Sequence, residues 1–375
     1  MRPREKRLAV FLTTGRGLRT WERVGSLSRE LALYRALGER GWRVAIYTFD
    51  RLPYVPAGGF EGLIVPQWPF VLPKAWSTAY GLLIPWLKPP RPSERPHVIM
   101  TNQAHGGLPA VIAAKIWGAP LVARSGNLLG DAFTLRNDDS LRAKRIILEE
   151  RFVHRAAAEC ILPTAELAEF ARVRYGLGPR IIHVVPNFVD TDLFRPRPAL
   201  PRHDVVSVGR LDDHKRHDLL IEALAGTGLC AAIVGTGEAE TRLRALARAR
   251  GVPVEFIARV ENQSLPELLN AARVFVILSK REGNSKALIE AMACGCACVG
   301  ADAPGIASLI DHDSTGLVVT PEVSELGTVL RALSKDEGLR RRLGLAARQR
   351  AVSTYGLDHV SARYDLVLSS LAGRE

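Results

Sequence analysis

No stretch of eighteen consecutive apolar residues exists in this chain, so no segment reads as a transmembrane helix. Cysteine is scarce, five in 375 residues, which excludes a disulfide framework and suits a reducing, cytoplasmic compartment. The first seven residues are basic, but the apolar stretch behind them, Leu8–Leu12, is too short for a secretory leader and is soon broken by Gly15 and Arg16. Internal repeats, low-complexity tracts and helix-turn-helix, zinc-finger or RNA-binding signatures are all missing, which argues against a nucleic-acid-binding protein. Acidic side chains are the scarcer sign, 39 against 51 Lys and Arg, for a net charge of +12.

That surplus is uneven. Residues 1–198 carry 29 Lys and Arg against 17 Asp and Glu, whereas residues 199–375 carry 22 of each. A basic half beside a neutral half implies that only the first meets an acidic partner: an anionic membrane surface, a phosphorylated substrate or nucleic acid. With 47% hydrophobic and 24% charged residues the chain is a folded protein, long enough for two domains.

Strand-length apolar runs at Leu8–Leu12, Val44–Phe49, Val98–Met100, Leu121–Ala123, Ile181–Val185, Val205–Val208, Ala231–Val234, Val274–Leu278 and Leu317–Val319 alternate with helical patterns such as Leu27–Leu37 and Leu243–Ala249. Continuous rather than alternating apolar runs separated by helices predict parallel sheets covered on both faces, an α/β fold. Pro196, Pro198 and Pro201 predict a hinge near 194–203, dividing the chain into domains 1–198 and 199–355, with a last helix within 356–375 that packs on either. Residues 53–96 hold ten of the 23 prolines and mix Trp68, Phe70, Trp76, Tyr80 and Trp86 with Lys74, Lys88, Arg91 and Arg95, a composition suited to a membrane–water interface or to packing on the core.

Two segments carry chemistry. From Ser279 to Gly300 a buried strand ends in a polar loop, and a helix starts at Asn284 or Ser285, both good N-cap residues. Such a loop lies at the carboxyl end of a parallel strand, where open α/β sheets bind ligands, and the free N–H groups of the helix start suit a phosphate. Glu282 precedes the helix and Glu290 lies inside it. In the second segment, Ser207–Leu224, Arg210 and Lys215 follow a strand; two cations there clamp a diphosphate, Arg as a planar fork and Lys as a point charge. The alternating cysteines 294, 296 and 298 read as small residues at a helix end and a buried strand start, not as a metal site.

Glu282 and Glu290 with Ala-Met-Ala-Cys-Gly after them, Val208-Gly-Arg-Leu before Lys215, Val185-Pro-Asn-Phe-Val-Asp, Ile233-Val-Gly-Thr-Gly-Glu and Ser314-Thr-Gly-Leu-Val-Val together resemble the retaining glycosyltransferases of the GT-B fold, family 4 (glycosyl transferases group 1). The likeness is strong from about 183 to 320 and looser before it. It implies two facing Rossmann-like domains with an interdomain cleft, the first binding the acceptor and joined by the final helix of 356–375, which crosses back to it, the second binding a nucleotide-sugar such as a UDP- or GDP-sugar, with no metal or other cofactor required. By resemblance, Arg210 and Lys215 neutralise the leaving diphosphate, Glu282 contacts the donor sugar and Glu290 the ribose. Gly283, Asn284, Ser285 and Lys286 approach sugar and phosphates, and Arg259 and Val260 meet the base. The family's cleft histidine after the strand at Leu121–Ala123 is missing; Arg124 stands in that turn, either to replace its role or to bind acceptor phosphate, and His105 is a further cleft candidate. Gly15, Arg16 and Gly17 form a first loop suited to acceptor and phosphate. The implied activity is α-glycosyl transfer to a lipid-linked or cell-surface glycan by an enzyme peripheral to the membrane's inner face; an epimerase or hydrolase on the same fold is the related alternative.

Overall fold

The structure, a computed structural model, describes residues 5–13, 17–50, 54, 56, 59–66, 77–135 and 138–373. It comprises two compact units: one of residues 1–186 and 360–375, the other of residues 187–359.

The first unit is built on seven strands: β1 (Lys6–Phe11), β2 (Trp42–Thr48), β3 (Leu63–Pro66), β4 (Val98–Thr101), β5 (Leu121–Arg124), β6 (Glu159–Leu162) and β7 (Ile182–Val184). Their order is β3-β2-β1-β4-β5-β6-β7, every pair parallel. β4 and β5 are buried along their whole length, which is why their sequences run apolar instead of alternating. The tail helix Leu357–Ala372 joins this unit from Val360 onward. There Asp365 accepts hydrogen bonds from Lys6 Nζ at 2.9 Å and Trp42 Nε1 at 2.8 Å.

The second unit has six strands: β8 (His203–Val208), β9 (Ala231–Val234), β10 (Val254–Ile257), β11 (Ala272–Ile277), β12 (Ala297–Ala301) and β13 (Leu317–Val319). Their order is β10-β9-β8-β11-β12-β13, again all parallel. Both units are therefore doubly wound Rossmann-like α/β sheets. The strand order reverses beside β1 in the first and beside β8 in the second, and ligands of such sheets sit at the carboxyl ends next to that reversal.

The segment expected to be a hinge is anchored in the second unit. Phe194 is buried in the second unit's core with Val189, and Arg197 N donates to Asn270 Oδ1 at 2.8 Å. Three prolines keep residues 195–201 out of a ladder, but the aromatic anchor ahead of them commits residues 187–198 to the second unit. The alternating cysteines fall as expected: Cys294 caps the helix Lys286–Ala293, and Cys296 and Cys298 lead into and lie on β12, all buried.

Candidate active site

Loops at the carboxyl edge of the second sheet converge beside β8. The loop after β8, residues 209–216, is fixed by the loop after β9: Gly209 N donates to Val234 O at 2.9 Å and Leu211 N to Thr236 O at 3.0 Å. The two backbones touch so closely that a Cβ on Gly235 would lie 1.9 Å from Gly209 O, so glycine is required there. Asp212 shapes the turn, accepting from the N–H groups of His214 and Lys215 at 3.2 Å each.

The loop after β11, residues 278–285, is stitched to this one through His214. Its carbonyl accepts from Lys280 N at 2.9 Å, and its Nε2 donates to Arg281 O at 2.7 Å. From the other side Glu282 N donates to Pro304 O at 2.9 Å. Ser285 caps the helix Lys286–Ala293 by accepting from Leu288 N, so the start anticipated from the sequence is the one observed.

These supports bring Lys215 and Glu282 together. Glu282 Oε1 accepts from both Lys215 Nζ and Ser279 Oγ, each at 2.5 Å. Lys215 and Glu282 are mostly buried, so their pairing is less screened by water than a surface ion pair. Arg210 is 72% exposed and pairs with Asp212 Oδ2 at 2.9 Å, leaving most of its guanidinium facing solvent. Glu290 is 1% exposed and accepts from Asn262 Nδ2 at 2.9 Å. Asn284 is buried and clamped reciprocally by Asn187, whose N–H donates to Asn284 Oδ1 at 2.8 Å and whose Nδ2 donates to Asn284 O at 2.7 Å. Arg259 is exposed near Glu261, and Val260 is half-buried on the core, both in the loop that follows β10. Loops 209–216 and 279–286 together hold six Lys and Arg against three Asp and Glu, so a unit with no net charge is cationic at this edge.

In the first unit the reversal beside β1 holds the loop that ends at Gly17. Gly15 and Arg16 lie outside the described residues. Gly17 packs against Asp50, whose carboxylate accepts from Leu18 N at 2.7 Å and Thr48 Oγ1 at 2.7 Å; a Cβ on Gly17 would meet that carboxylate at 2.3 Å. His105 follows β4, with Nδ1 3.2 Å from Glu149 Oε2.

Arg124 requires a correction. It is 6% exposed, and its donors point inward: Nη1 to Asn102 O at 2.8 Å and Nε to Tyr364 Oη at 3.2 Å. Burial opposes its charge, but Tyr364, Tyr34 and Glu30 outweigh that and hold it charged. Arg124 ties the tail helix to β5 within the first unit and is not an exposed anchor for acceptor phosphate.

Ser279, Asn187, Asn262, Asp50 and the buried Glu150 were not legible as site-forming residues. Glu150 accepts from Leu129 N at 3.0 Å, Gly130 N at 2.8 Å and Tyr175 Oη at 2.7 Å, pinning the start of the helix Leu129–Leu135 that follows β5; burial pushes its carboxyl up, against the pull of Gly130 and Tyr175. Each of these residues acts on a partner 20 to 97 positions away except Ser279, three before Glu282, and Asp50, whose partners lie within 32 positions.

A pair of doubly wound parallel sheets, one with a cationic carboxyl edge that also carries Glu282, is the architecture of the GT-B glycosyltransferases. The chain superposes on sucrose-phosphate synthase from Thermosynechococcus elongatus with a TM-score of 0.81, covering 99% of this chain and 100% of that one at 18% identity. It superposes on Anabaena HepE in complex with UDP-glucose with a TM-score of 0.74, covering 97% and 99% at 19% identity. Residues 31–193 match the model of Glycosyltransferase Family 4, and residues 190–350 that of Glycosyl transferases group 1. The sequence is 30% identical to D-inositol 3-phosphate glycosyltransferase of Xylanimonas cellulosilytica over 88% of each chain. It is 25% identical to a phosphatidylinositol N-acetylglucosaminyltransferase subunit of Arabidopsis thaliana over 74% of this chain and 62% of that one. The chain belongs to glycosyltransferase family 4 and is a sugar-transferring enzyme.

Proposed function

We propose that this enzyme moves a hexosyl group from a nucleoside-diphosphate sugar held by the second unit to a lipid-linked or cell-surface glycan acceptor held by the first, with retention at the anomeric carbon and without a metal. The observation that carries the donor half is the Lys215–Glu282–Ser279 cluster beside the capped helix start at Ser285, at the strand-order reversal of the second sheet. Arg210 and Lys215 stabilise the charge that grows on the departing diphosphate, and the free N–H groups after Ser285 add to them. Glu282, its carboxylate held by two donors, contacts the sugar, and Glu290 holds the ribose.

In the step itself the bond from the anomeric carbon to the phosphate oxygen breaks. A bond to the acceptor oxygen forms on the same face, and the acceptor hydroxyl proton passes to the departing diphosphate oxygen. Support for a nucleotide donor comes from HepE, solved with UDP-glucose. Support for a phosphorylated or lipid acceptor comes from the names of the inositol-phosphate and phosphatidylinositol transferases and from the basic first half. Among the described residues no helix is long and apolar enough to cross a membrane. The proposed association is peripheral, through the aromatic and basic segment 53–96; of that segment Trp68, Phe70, Trp76 and Lys74 lie outside the described residues, while Leu83, Trp86 and Leu87 are exposed on the helix Ser77–Leu87.

A thermal-shift screen of UDP-, GDP-, ADP- and dTDP-sugars tests the donor assignment. A ligand at 100 times its dissociation constant stabilises by about 2.7 kcal/mol, and one sugar nucleotide is expected to do so. No shift with any of the four would overturn the reading.

A further inference from the structure

Helix Leu141–Ala156 covers the first unit with its buried stripe, Ala143, Ile146, Glu150, Val153 and His154, turned to the core. Its outer face is unusual. Leu148 is 66% and Phe152 50% exposed, one helical turn apart, and Leu141 is exposed at the amino end. Around them stand Arg142, Lys144, Arg145, Arg151 and Arg155, all exposed and none paired with a carboxylate among the described residues. The helix has two acidic residues, and both turn inward, Glu149 to Gly106 N and Glu150 to Leu129 and Gly130. This differs from the next helix, Ala165–Tyr175, where exposed Glu169 neutralises Arg172 at 2.6 Å.

The face continues sideways. Helix Leu141–Ala156 packs on Leu108–Trp117, which packs on Ser77–Leu87. Those two helices expose Ile116 and then Leu83, Trp86 and Leu87, and their sole charged residue is Lys115. Three neighbouring helices thus present apolar side chains among cations, with no outward carboxylate.

We infer that this three-helix surface, centred on Leu148 and Phe152, docks the first unit on an anionic lipid bilayer. The inference rests on the peripheral-membrane reading above and extends it to a helix outside segment 53–96. Charge selects the occupant. Two copies of the face would oppose ten cations from this helix alone, which disfavours self-pairing. A nucleic-acid backbone would leave Leu148 and Phe152 against phosphates. A bilayer interface takes both chemistries, with aromatic and aliphatic side chains at headgroup depth and Lys and Arg among anionic headgroups.

Co-sedimentation of the full chain with vesicles of phosphatidylcholine alone, and of phosphatidylcholine with about a third phosphatidylglycerol, tests it. Wild type should pellet with the anionic vesicles only and detach in high salt. Affinity should fall about fivefold for each cation removed in Arg145→Gln, Arg151→Gln and Arg155→Gln, and the double variant Leu148→Ser with Phe152→Ser should lose binding. Because these side chains are exposed, melting temperatures should match wild type, and sugar-nucleotide stabilisation should persist in every variant. Binding unchanged in the double variant, equal pelleting with neutral vesicles, or no pelleting at all would overturn the surface. Dimer formation at the same face, seen as a sedimentation shift abolished by Leu148→Ser, would also overturn it. Lipid binding in a chain that no sugar nucleotide stabilises would instead sink the proposed function and leave the surface standing.

Discussion

Lys215 and Glu282, 67 residues apart in sequence, meet at 2.5 Å at the carboxyl edge of the second sheet, and Ser279 donates to the same carboxylate oxygen. On the proposed reading the cation and the carboxylate belong together. A bare carboxylate beside an incoming diphosphate would repel it, whereas one already held by an ammonium and a hydroxyl can still accept from a sugar hydroxyl while the site stays cationic.

Lys215→Ala and Arg210→Ala should each lower kcat by about 100-fold or more, the loss expected when one group that stabilises developing charge is removed. The Lys215 change should be the larger, because it also leaves the mostly buried Glu282 without its cation. Steady-state kinetics on purified variants with unchanged melting temperature checks this; near-normal turnover in both contradicts the diphosphate role.

Gly305 sits at φ +75°, and a Cβ there would lie 1.9 Å from Glu282 O. Gly305→Ala must therefore displace the loop bearing Glu282, and a displacement near 1 Å costs about 100-fold in rate. Catalytic efficiency should drop while most of the unit's hydrogen-exchange protection survives. Full activity would mean that the position of the loop does not matter to the reaction.

Arg124→Gln should lower stability by about 2 kcal/mol, since it strips Asn102 O and Tyr364 Oη of a buried donor. Activity per folded molecule below the melting range should stay near wild type. A variant of unchanged melting temperature that has lost acceptor affinity would restore Arg124 as a binding residue.

His154 and His217 are pushed down to about 4, His154 by burial and His217 by burial and then by Lys215. Unfolding returns each to about 6.5, so between those values the unfolded chain binds more protons and stability falls as pH falls through that window, by about 1.4 kcal/mol per pH unit for each group. Glu150, shifted up chiefly by burial, works in the opposite sense: its folded form takes up a proton first on acidification. Melting curves at neutral pH and near pH 5 should show a clear loss, reduced in His154→Gln. Equal melting temperatures at both would contradict burial of neutral imidazoles.

The alternating sheet-and-helix architecture was legible because strands buried on both faces leave uninterrupted apolar runs; β8, β9 and β13 coincide with such runs to within a residue or two. Helix Lys286–Ala293 announced itself through Ser285, a local cap signal. Strands β3 and β6 did not stand out, being only four residues each. What positions the site was hidden for a different reason. Asn187, Asn262 and Glu150 act on partners far along the chain, and no local pattern marks a residue whose partner topology alone brings near. Arg124 read as a turn cation because its burial under Tyr364 depends on the returning tail helix, 240 residues on.

The central claim is that the carboxyl edge of the second sheet holds a nucleoside diphosphate, with Glu290 on the ribose. Calorimetric titration of UDP and GDP into wild type and Glu290→Gln tests it most directly. One nucleotide should bind wild type one-to-one and the variant at least about tenfold more weakly, since a hydrogen bond to a charged group is worth about 1.5 kcal/mol or more. Equal affinity in the two proteins, or no binding of either nucleotide to wild type, would contradict it.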